Sequence, residues 1–327
     1  MSKFKKILTN PSIFYIISRY GTYIIQFINS LFIAVYLGPF YLGIWGFINL
    51  VIGYISQLNL GISYSVNVII SVNKEKEDYV NRIIGNGLSM ILILSFLVFL
   101  FLMTVKLGII QIGNKYNFEN YILPVIVITL LTHINGLFSN IFRVFGKIYA
   151  IAINQSLYPV IVLFLIPFFR GEKLLWAMLF ANASAFIISF ILYLIQTPVK
   201  IKLLADWKMF QFIQVKGWHL FVYGASFYLI MLTTNTFISG NYEVREFGYY
   251  TFSYSLANVV LLLLNSISFL IFPKLLNRFA NASNEQISSI LSNVRTAYIS
   301  LSHLLIHFVI MLFPVFLLFF PAYSASA

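Results

Sequence analysis

The side chains best suited to chemistry are a few cationic, imidazole and amide groups inside or beside long apolar runs. Arg19 lies in the first such run, within IISRYGTYIIQF. A charged group is costly in hydrocarbon, so an arginine there indicates a functional role. Its planar fork can bind two phosphate oxygens at once. Arg19 is therefore a candidate for holding a phosphate-bearing ligand, and the alternative is that its side chain extends to the membrane surface.

Four further residues are candidates for the same site. Arg143 and Lys147 flank the short turn in NIFRVFGK and either attract an anionic group or only orient the chain. His133 lies mid-run in LLTHINGLF, where it lines a cavity, relays a proton or hydrogen-bonds a neighbouring helix. Asn29 follows Arg19 in the first run and either contacts sugars or joins helices.

Other kinds of site find little support. The absence of cysteine excludes disulfides and thiolate metal sites. His303 and His307 stand one turn apart but lack a third ligand, so neither a metal nor a cofactor is expected. The nine acidic residues fall in loops or at interfaces, which argues against a hydrolase or transferase site in the membrane and against a carboxylate site for protons or sodium. No phosphate-binding glycine-lysine loop is present, so the energy source stays open.

The elements that position these residues are transmembrane helices. The chain of 327 residues is 60% hydrophobic and 9% charged, against about 25% charged in soluble domains. The apolar runs predict an all-α polytopic membrane protein of nine spans, which lie at about 13–37, 41–70, 84–106, 120–142, 148–168, 174–196, 218–240, 247–272 and 296–320. The net charge of +12 sits mostly in short loops, so it favours an orientation signal over nucleic-acid binding.

The distribution of basic residues predicts the orientation. Of the 21 Lys and Arg, fifteen fall on the side of the N-terminus and five on the opposite side. This places the N-terminus in the cytoplasm, with an uncleaved first span. Residues 199–217 mix lysines with Leu, Trp and Phe and predict a short helix in the cytoplasmic interface, or else a plain linker.

The region around residues 36–73 recurs weakly 205 residues later. Gly43 and Phe47 align with Gly248 and Phe252, and each copy has a span, an outer turn, a glycine, a long span and a basic loop. Six spans per unit would make the two units parallel repeats. The predicted domains are a first lobe at 1–198, the linker at 199–217 and an incomplete second lobe at 218–327, as in a fragment or a truncated frame.

The segment YLGPFYLGIWGFINLVIGYISQLNLGISYS resembles the second-span region of polysaccharide flippases of the O-antigen (Wzx) type. These belong to the multidrug/oligosaccharidyl-lipid/polysaccharide exporter superfamily. REFGYYTFSYSLAN and IFPKLLNRFA resemble the corresponding pattern in the second half.

The resemblance implies two parallel six-helix lobes of the MATE type around a central cavity. It further implies a non-enzymatic transporter that moves undecaprenyl-pyrophosphate-linked oligosaccharide across a bacterial plasma membrane, by alternating access and alongside other polysaccharide-assembly proteins. It also favours Arg19 as a cavity residue. The alternatives are a multidrug cation antiporter of the same superfamily, a membrane polymerase or acyltransferase, and a non-transporting truncated product.

Overall fold

A computed structural model describes residues 11–258 and 283–326, and within them the chain is helical throughout with short connections. The helices are α1 (Pro11–Gln57), α2 (Ile62–Val72), α3 (Glu77–Lys106), α4 (Ile122–Val144), α5 (Ile148–Leu165), α6 (Gly171–Gln196), α7 (Trp207–Asn241), α8 (residues 244–258) and α9 (Asn284–Leu317). Single 3₁₀ turns cover Asn114–Tyr116, Phe118–Tyr121, Ile166–Phe168 and Pro321–Ser326.

Seven helices of the described residues are long and apolar enough to cross a membrane. The first of these stretches, residues 17–57, contains a break at Gly38 and therefore holds the first two predicted spans. Of the predicted span at 247–272, only residues up to 258 lie within the described part. The all-α, multi-pass architecture is thus confirmed.

The break at Gly38 divides α1 into residues 11–37 and 39–57. Gly38 has φ 70° and ψ 168°, a conformation that residues with a Cβ rarely adopt. Pro39 follows and has no N–H to continue the helical hydrogen bonds. The turn therefore falls where the Gly-Pro pair predicts it.

The prediction of one long span over 41–70 is wrong, because the helix stops at Gln57 and restarts at Ile62. Leu60 and Gly61 have φ of 50° and 78°, outside the helical region. The Asn59 side chain then accepts a hydrogen bond from the Ser63 amide at 3.1 Å. A short polar turn thus interrupts the apolar run.

The prediction of a separate interfacial helix at 199–217 also needs correction. Residues 201–206 are not helical, and residues 207–217 form the first turns of α7. Asp206 caps α7 by accepting from the amides of Lys208 and Met209. At 35 residues α7 is about 52 Å long, more than the ~30 Å of a bilayer core, so it extends beyond the hydrocarbon.

The helices α1 to α6 pack into one bundle, in which α1 packs most extensively against α5. The long helix α7 lies against α2, α3 and α1. Buried side chains form two clusters, one toward the Gly38 turn and one toward the end of the bundle that carries Arg143 and Lys147. We call the latter the basic end.

The second segment of α1 packs against α8 through two equivalent glycine contacts. A Cβ on Gly43 would lie 2.0 Å from the Val244 carbonyl oxygen, and one on Gly248 would lie 1.8 Å from that of Pro39. Pro39 and Val244 are 205 residues apart, as are Gly43 and Gly248. Each contact is therefore the symmetry copy of the other, as a twofold axis requires. We call this close crossing the glycine seam.

Candidate functional site

Arg19 lies in a polar cavity between the first segment of α1 and α5. The cavity has a volume of about 220 Å³ and is lined by Arg19, Thr22, Tyr23 and Gln26 from α1, and by Ala152 and Gln155 from α5. The Arg19 side chain is half-buried, and its Nε donates a hydrogen bond to the Tyr23 hydroxyl. The guanidinium carbon is also 5.5 Å from the centre of the Tyr23 ring. Tyr23 therefore holds the arginine against the wall of this space, which we call the Arg19 cavity.

Asn29 lies two to three turns further along α1 and joins the same two helices. Its side chain is 4% exposed, and Nδ2 donates to the Pro159 carbonyl oxygen at 2.7 Å. Its Oδ1 has no hydrogen-bond partner among the described residues. Because the amide nitrogen is hydrogen-bonded to α5, the geometry favours the helix-joining role over direct contact with a ligand.

His133 is buried at 2% exposure, and its Nε2 lies 3.0 Å from the Ile55 carbonyl oxygen. A carbonyl only accepts, so Nε2 carries the proton. The same carbonyl also accepts from the Leu58 amide at 2.9 Å, just before the break in the apolar run. His133 thus ties α4 to the end of α1, outside the Arg19 cavity. This geometry supports the helix-bonding interpretation.

Arg143 and Lys147 lie in the connection between α4 and α5, and both are exposed. Gly146, with φ 71°, makes the turn between them. Lys74 is close by, with its Nζ 5.5 Å from the centre of the Phe145 ring. These cations form a rim at the basic end, and neither Arg143 nor Lys147 lines the Arg19 cavity.

A second cavity, of about 320 Å³, lies between α4, α5 and α6. Four amide side chains line it: Asn135, Asn154, Gln155 and Asn182. Hydroxyl groups of Thr132, Ser139 and Ser189 and rings of Tyr158, Phe186 and Tyr193 complete most of the wall. We call it the amide cavity. Its lining contains no charged side chain, and Gln155 belongs to both cavities, so the two adjoin.

Several buried polar atoms of the amide cavity lack partners within the described residues. Asn135 is 6% exposed; its Nδ2 donates to the Phe186 carbonyl oxygen at 2.9 Å, whereas its Oδ1 has no partner. Neither Nδ2 nor Oδ1 of Asn154 is hydrogen-bonded to protein. Pro159 has no N–H and so cannot donate to the Gln155 carbonyl oxygen one turn earlier in α5. This oxygen is a further hydrogen-bond acceptor where the two cavities adjoin.

A third cavity, of about 230 Å³, lies beside the glycine seam, between the two halves of the chain. Trp45 and Asn49 line it from α1, Tyr228 and Asn235 from α7, and Thr251 and Tyr254 from α8. Its lining is also uncharged. Aromatic rings, amides and hydroxyls together make a surface suited to polar, neutral groups.

The sequence prediction found Arg19 because a charge in an apolar run is conspicuous, but it missed the amide cavity. A signal was present: Thr132, Asn135 and Ser139 recur at helical spacing, as do Asn182, Ser189 and Tyr193. Such neutral residues also join helices to each other, so only the packing of α4, α5 and α6 distinguishes a cavity from a contact.

Comparison with known proteins places this geometry in context. The family model described as "Polysaccharide biosynthesis protein" matches residues 8–279. An inward-facing multidrug resistance MATE family transporter of the MOP superfamily is similar in structure, with a TM-score of 0.69 at 14% identity over 95% of this chain and 77% of that one. A chain named protein A is similar with a TM-score of 0.61 at 17% identity, over 98% and 76%. No curated protein sequence matches the chain.

Proposed function

The chain belongs to the polysaccharide biosynthesis protein family, and we propose that it moves a lipid-linked oligosaccharide across a bacterial plasma membrane. The cargo in this proposal is an undecaprenyl-pyrophosphate-linked repeat unit bound for surface polysaccharide such as O-antigen or capsule. It travels from the cytoplasmic to the outer leaflet, and the N-terminus is cytoplasmic. No covalent bond changes, so the task is to carry an anionic, sugar-bearing headgroup through hydrocarbon.

The observation that carries the proposal is the Arg19 cavity. It places a guanidinium, which binds phosphate oxygens in pairs, among amide and hydroxyl groups inside a membrane helix bundle. Arg19 belongs to the first helical stretch that is long and apolar enough to cross a membrane, Ile17–Gln57. A pyrophosphate needs such a cation where water is absent.

The position of the acidic residues favours this cargo over a cationic drug. All nine Asp and Glu lie within the described residues; all are exposed except Asp206, which is half-buried and pairs with Arg82 at the surface of the bundle. The Arg19 cavity, the amide cavity and the cavity beside the glycine seam contain no carboxylate to hold a cation. The likeness to a multidrug transporter is one of fold.

The glycine seam supports an alternating-access mechanism, in which two symmetric halves rock about their interface. At Gly43 and Gly248 the two helices meet through backbone, and beside them Tyr116 of the first half donates a hydrogen bond to the Ser239 carbonyl oxygen and packs against the Phe247 ring. Separation at the seam would open the third cavity, which lies beside it. The rim of Lys74, Arg143 and Lys147 lies at the opposite, basic end, where an anionic headgroup would arrive from the cytoplasm.

The test is complementation of a strain that lacks this gene and any redundant flippase. Wild type should restore surface polysaccharide and clear lipid-linked repeat units from the cytoplasmic leaflet. Arg19→Ala should fail to do so at equal protein level, and Arg19→Lys should rescue only partly, because lysine keeps the charge but loses the fork.

Arg245→Ala serves as the matched control, because Arg245 is exposed and lies in the first turn of α8. It should complement like wild type. Normal surface polysaccharide in the deletion strain would refute the function. Full rescue by Arg19→Ala would refute the assignment of the phosphate site.

A further inference from the structure

We infer that the amide cavity binds a neutral sugar residue of the cargo, next to the phosphate at Arg19. This inference rests on the proposed function and deepens it. It assigns the headgroup to two adjoining subsites in the first half of the chain, with Gln155 between them.

The chemistry of the lining selects the class of ligand. Asn154 presents an unpartnered donor and an unpartnered acceptor, and Asn135 presents an unpartnered acceptor. Each sugar hydroxyl donates one hydrogen bond and can also accept, so two hydroxyls of one sugar residue can satisfy all three atoms. A metal cation can satisfy only the oxygens and would leave the Asn154 Nδ2 buried without a partner, at a cost comparable to a lost hydrogen bond. The lining also lacks a carboxylate to balance the cation's charge.

The size and walls of the cavity fit one sugar residue. Its volume of about 320 Å³ is at the small end of the ~300–1,000 Å³ range of ligand pockets. Rings of Tyr158, Phe186 and Tyr193 provide flat apolar surfaces for the C–H face of a sugar. Tyr193 is held in place by Phe142, with ring centres 4.7 Å apart. The cavity admits a sugar residue and not a whole repeat unit.

The two subsites lie at the same depth. Gln155 lines both cavities, and near the starts of α1 and α5 the rings of Phe14 and Tyr149 pack with their centres 4.7 Å apart. Both helices begin at the basic end of the bundle. A phosphate at Arg19 therefore brings the sugar attached to it to the height of Asn154 and Gln155, which is where the amide cavity begins.

The experiment measures binding to the purified full chain in nanodiscs. The two probes are undecaprenyl pyrophosphate and the same lipid bearing one N-acetylglucosamine. Wild type should bind the sugar-bearing lipid more tightly. Asn154→Leu, and independently Asn182→Leu, should each weaken that binding by about threefold to tenfold, as the loss of one hydrogen bond implies, without affecting the bare lipid. Arg19→Ala should weaken both.

Asn241→Leu is the control, because Asn241 is exposed at the end of α7 and bonds only its own helix, to the Phe237 carbonyl oxygen. It should change neither affinity. Equal wild-type affinity for the two lipids, or equal losses for both in the Asn154 and Asn182 variants, would overturn the sugar subsite and leave the proposed function standing. The sugar subsite would also be overturned if Asn154→Leu abolished sodium binding while both lipid affinities persisted. A cavity that holds water only would overturn it as well. Failure of wild type to bind either lipid would instead count against the proposed function.

Discussion

Replacement of Gly248 by alanine should force the glycine seam apart. The added Cβ would lie 1.8 Å from the Pro39 carbonyl oxygen, whereas ordinary contacts begin at 3.4 Å, so the helices must separate by about 1.6 Å. The obstacle is backbone on both sides, so no side chain can rotate away. Overpacking of this kind typically costs about 1–3 kcal/mol.

That cost falls on the state in which the seam is closed, because a state with the seam open has no clash. A bias of about 1–3 kcal/mol shifts a two-state equilibrium by roughly 5-fold to 150-fold. Gly43→Ala should have a similar effect, because the twofold axis makes its clash with Val244 the copy of the first. Transport should fall in both variants, since the cycle needs both states.

The assay is electron-electron distance measurement with spin labels on Gln111→Cys and Arg245→Cys, two exposed positions of which one lies in the first half of the chain and the other in α8 of the second half. The chain has no native cysteine, so no background labelling occurs. Gly248→Ala should raise the population at the longer distance. Gly224→Ala is the control, since a Cβ there meets nothing within 4 Å. If Gly248→Ala gave the same distance distribution as Gly224→Ala, the seam would not be the closed contact of a gate.

Two further predictions concern groups that join elements. The hydrogen bond from Arg82, together with those from the first amides of α7, lowers the pKa of Asp206 below its ordinary value of 3.8. A lowered folded-state pKa means that the stabilisation is complete above about pH 3.8 and is lost as the pH falls through the folded value. Asp206→Asn, which keeps the cap, should therefore lower the melting temperature at pH 7 and flatten its decline in acid; an unchanged acid limb would contradict the pairing. His133→Leu should lower the melting temperature by a few degrees, for about 0.5–1.5 kcal/mol of lost hydrogen bonding, and leave the pH profile of transport unchanged. A transport rate that lost its pH dependence in this variant would instead identify His133 as a proton relay.

The spans were predictable because membrane helices need long apolar runs, and the Gly38-Pro39 turn was predictable from two residues that a helix excludes. The break at residues 58–61 was harder to foresee. Hydropathy does not reveal this break. The residue types do hint at it, because Asn59 is of a type that caps helices and Gly61, two positions later, tolerates a positive φ. The start of α7 was misplaced for a similar reason, since Asp206 is a clear cap but the lysines after it suggested an interface.

The candidate site was also only partly predictable from the sequence. Arg19 stands out in sequence because a charge in hydrocarbon requires a reason, and the structure places it in a polar cavity. His133 was equally conspicuous, yet its partner is a backbone carbonyl 78 residues away, which no local pattern reveals. The amide cavity depends on three helices that bring neutral side chains together. Neutral amides are common in contacts between helices, so a binding role can be recognised only when the hydrogen-bond partners of each amide atom are known.

The repeat links these observations into one mechanism. An offset of 205 residues was weak evidence while it rested on a few identities, since apolar segments share residues by chance. The reciprocal contacts of Gly43 with Val244 and of Gly248 with Pro39 are independent of those identities, because they are distances between backbone atoms. A twofold axis at the seam relates residues 39–43 to residues 244–248, but the Arg19 and amide cavities lie entirely in the first half. A transporter of this kind would bind the lipid headgroup on one half and use the symmetric seam only to switch between its two conformations. Loss of the seam should therefore block movement of the lipid without weakening its binding. Loss of Arg19 should instead weaken binding of the lipid first.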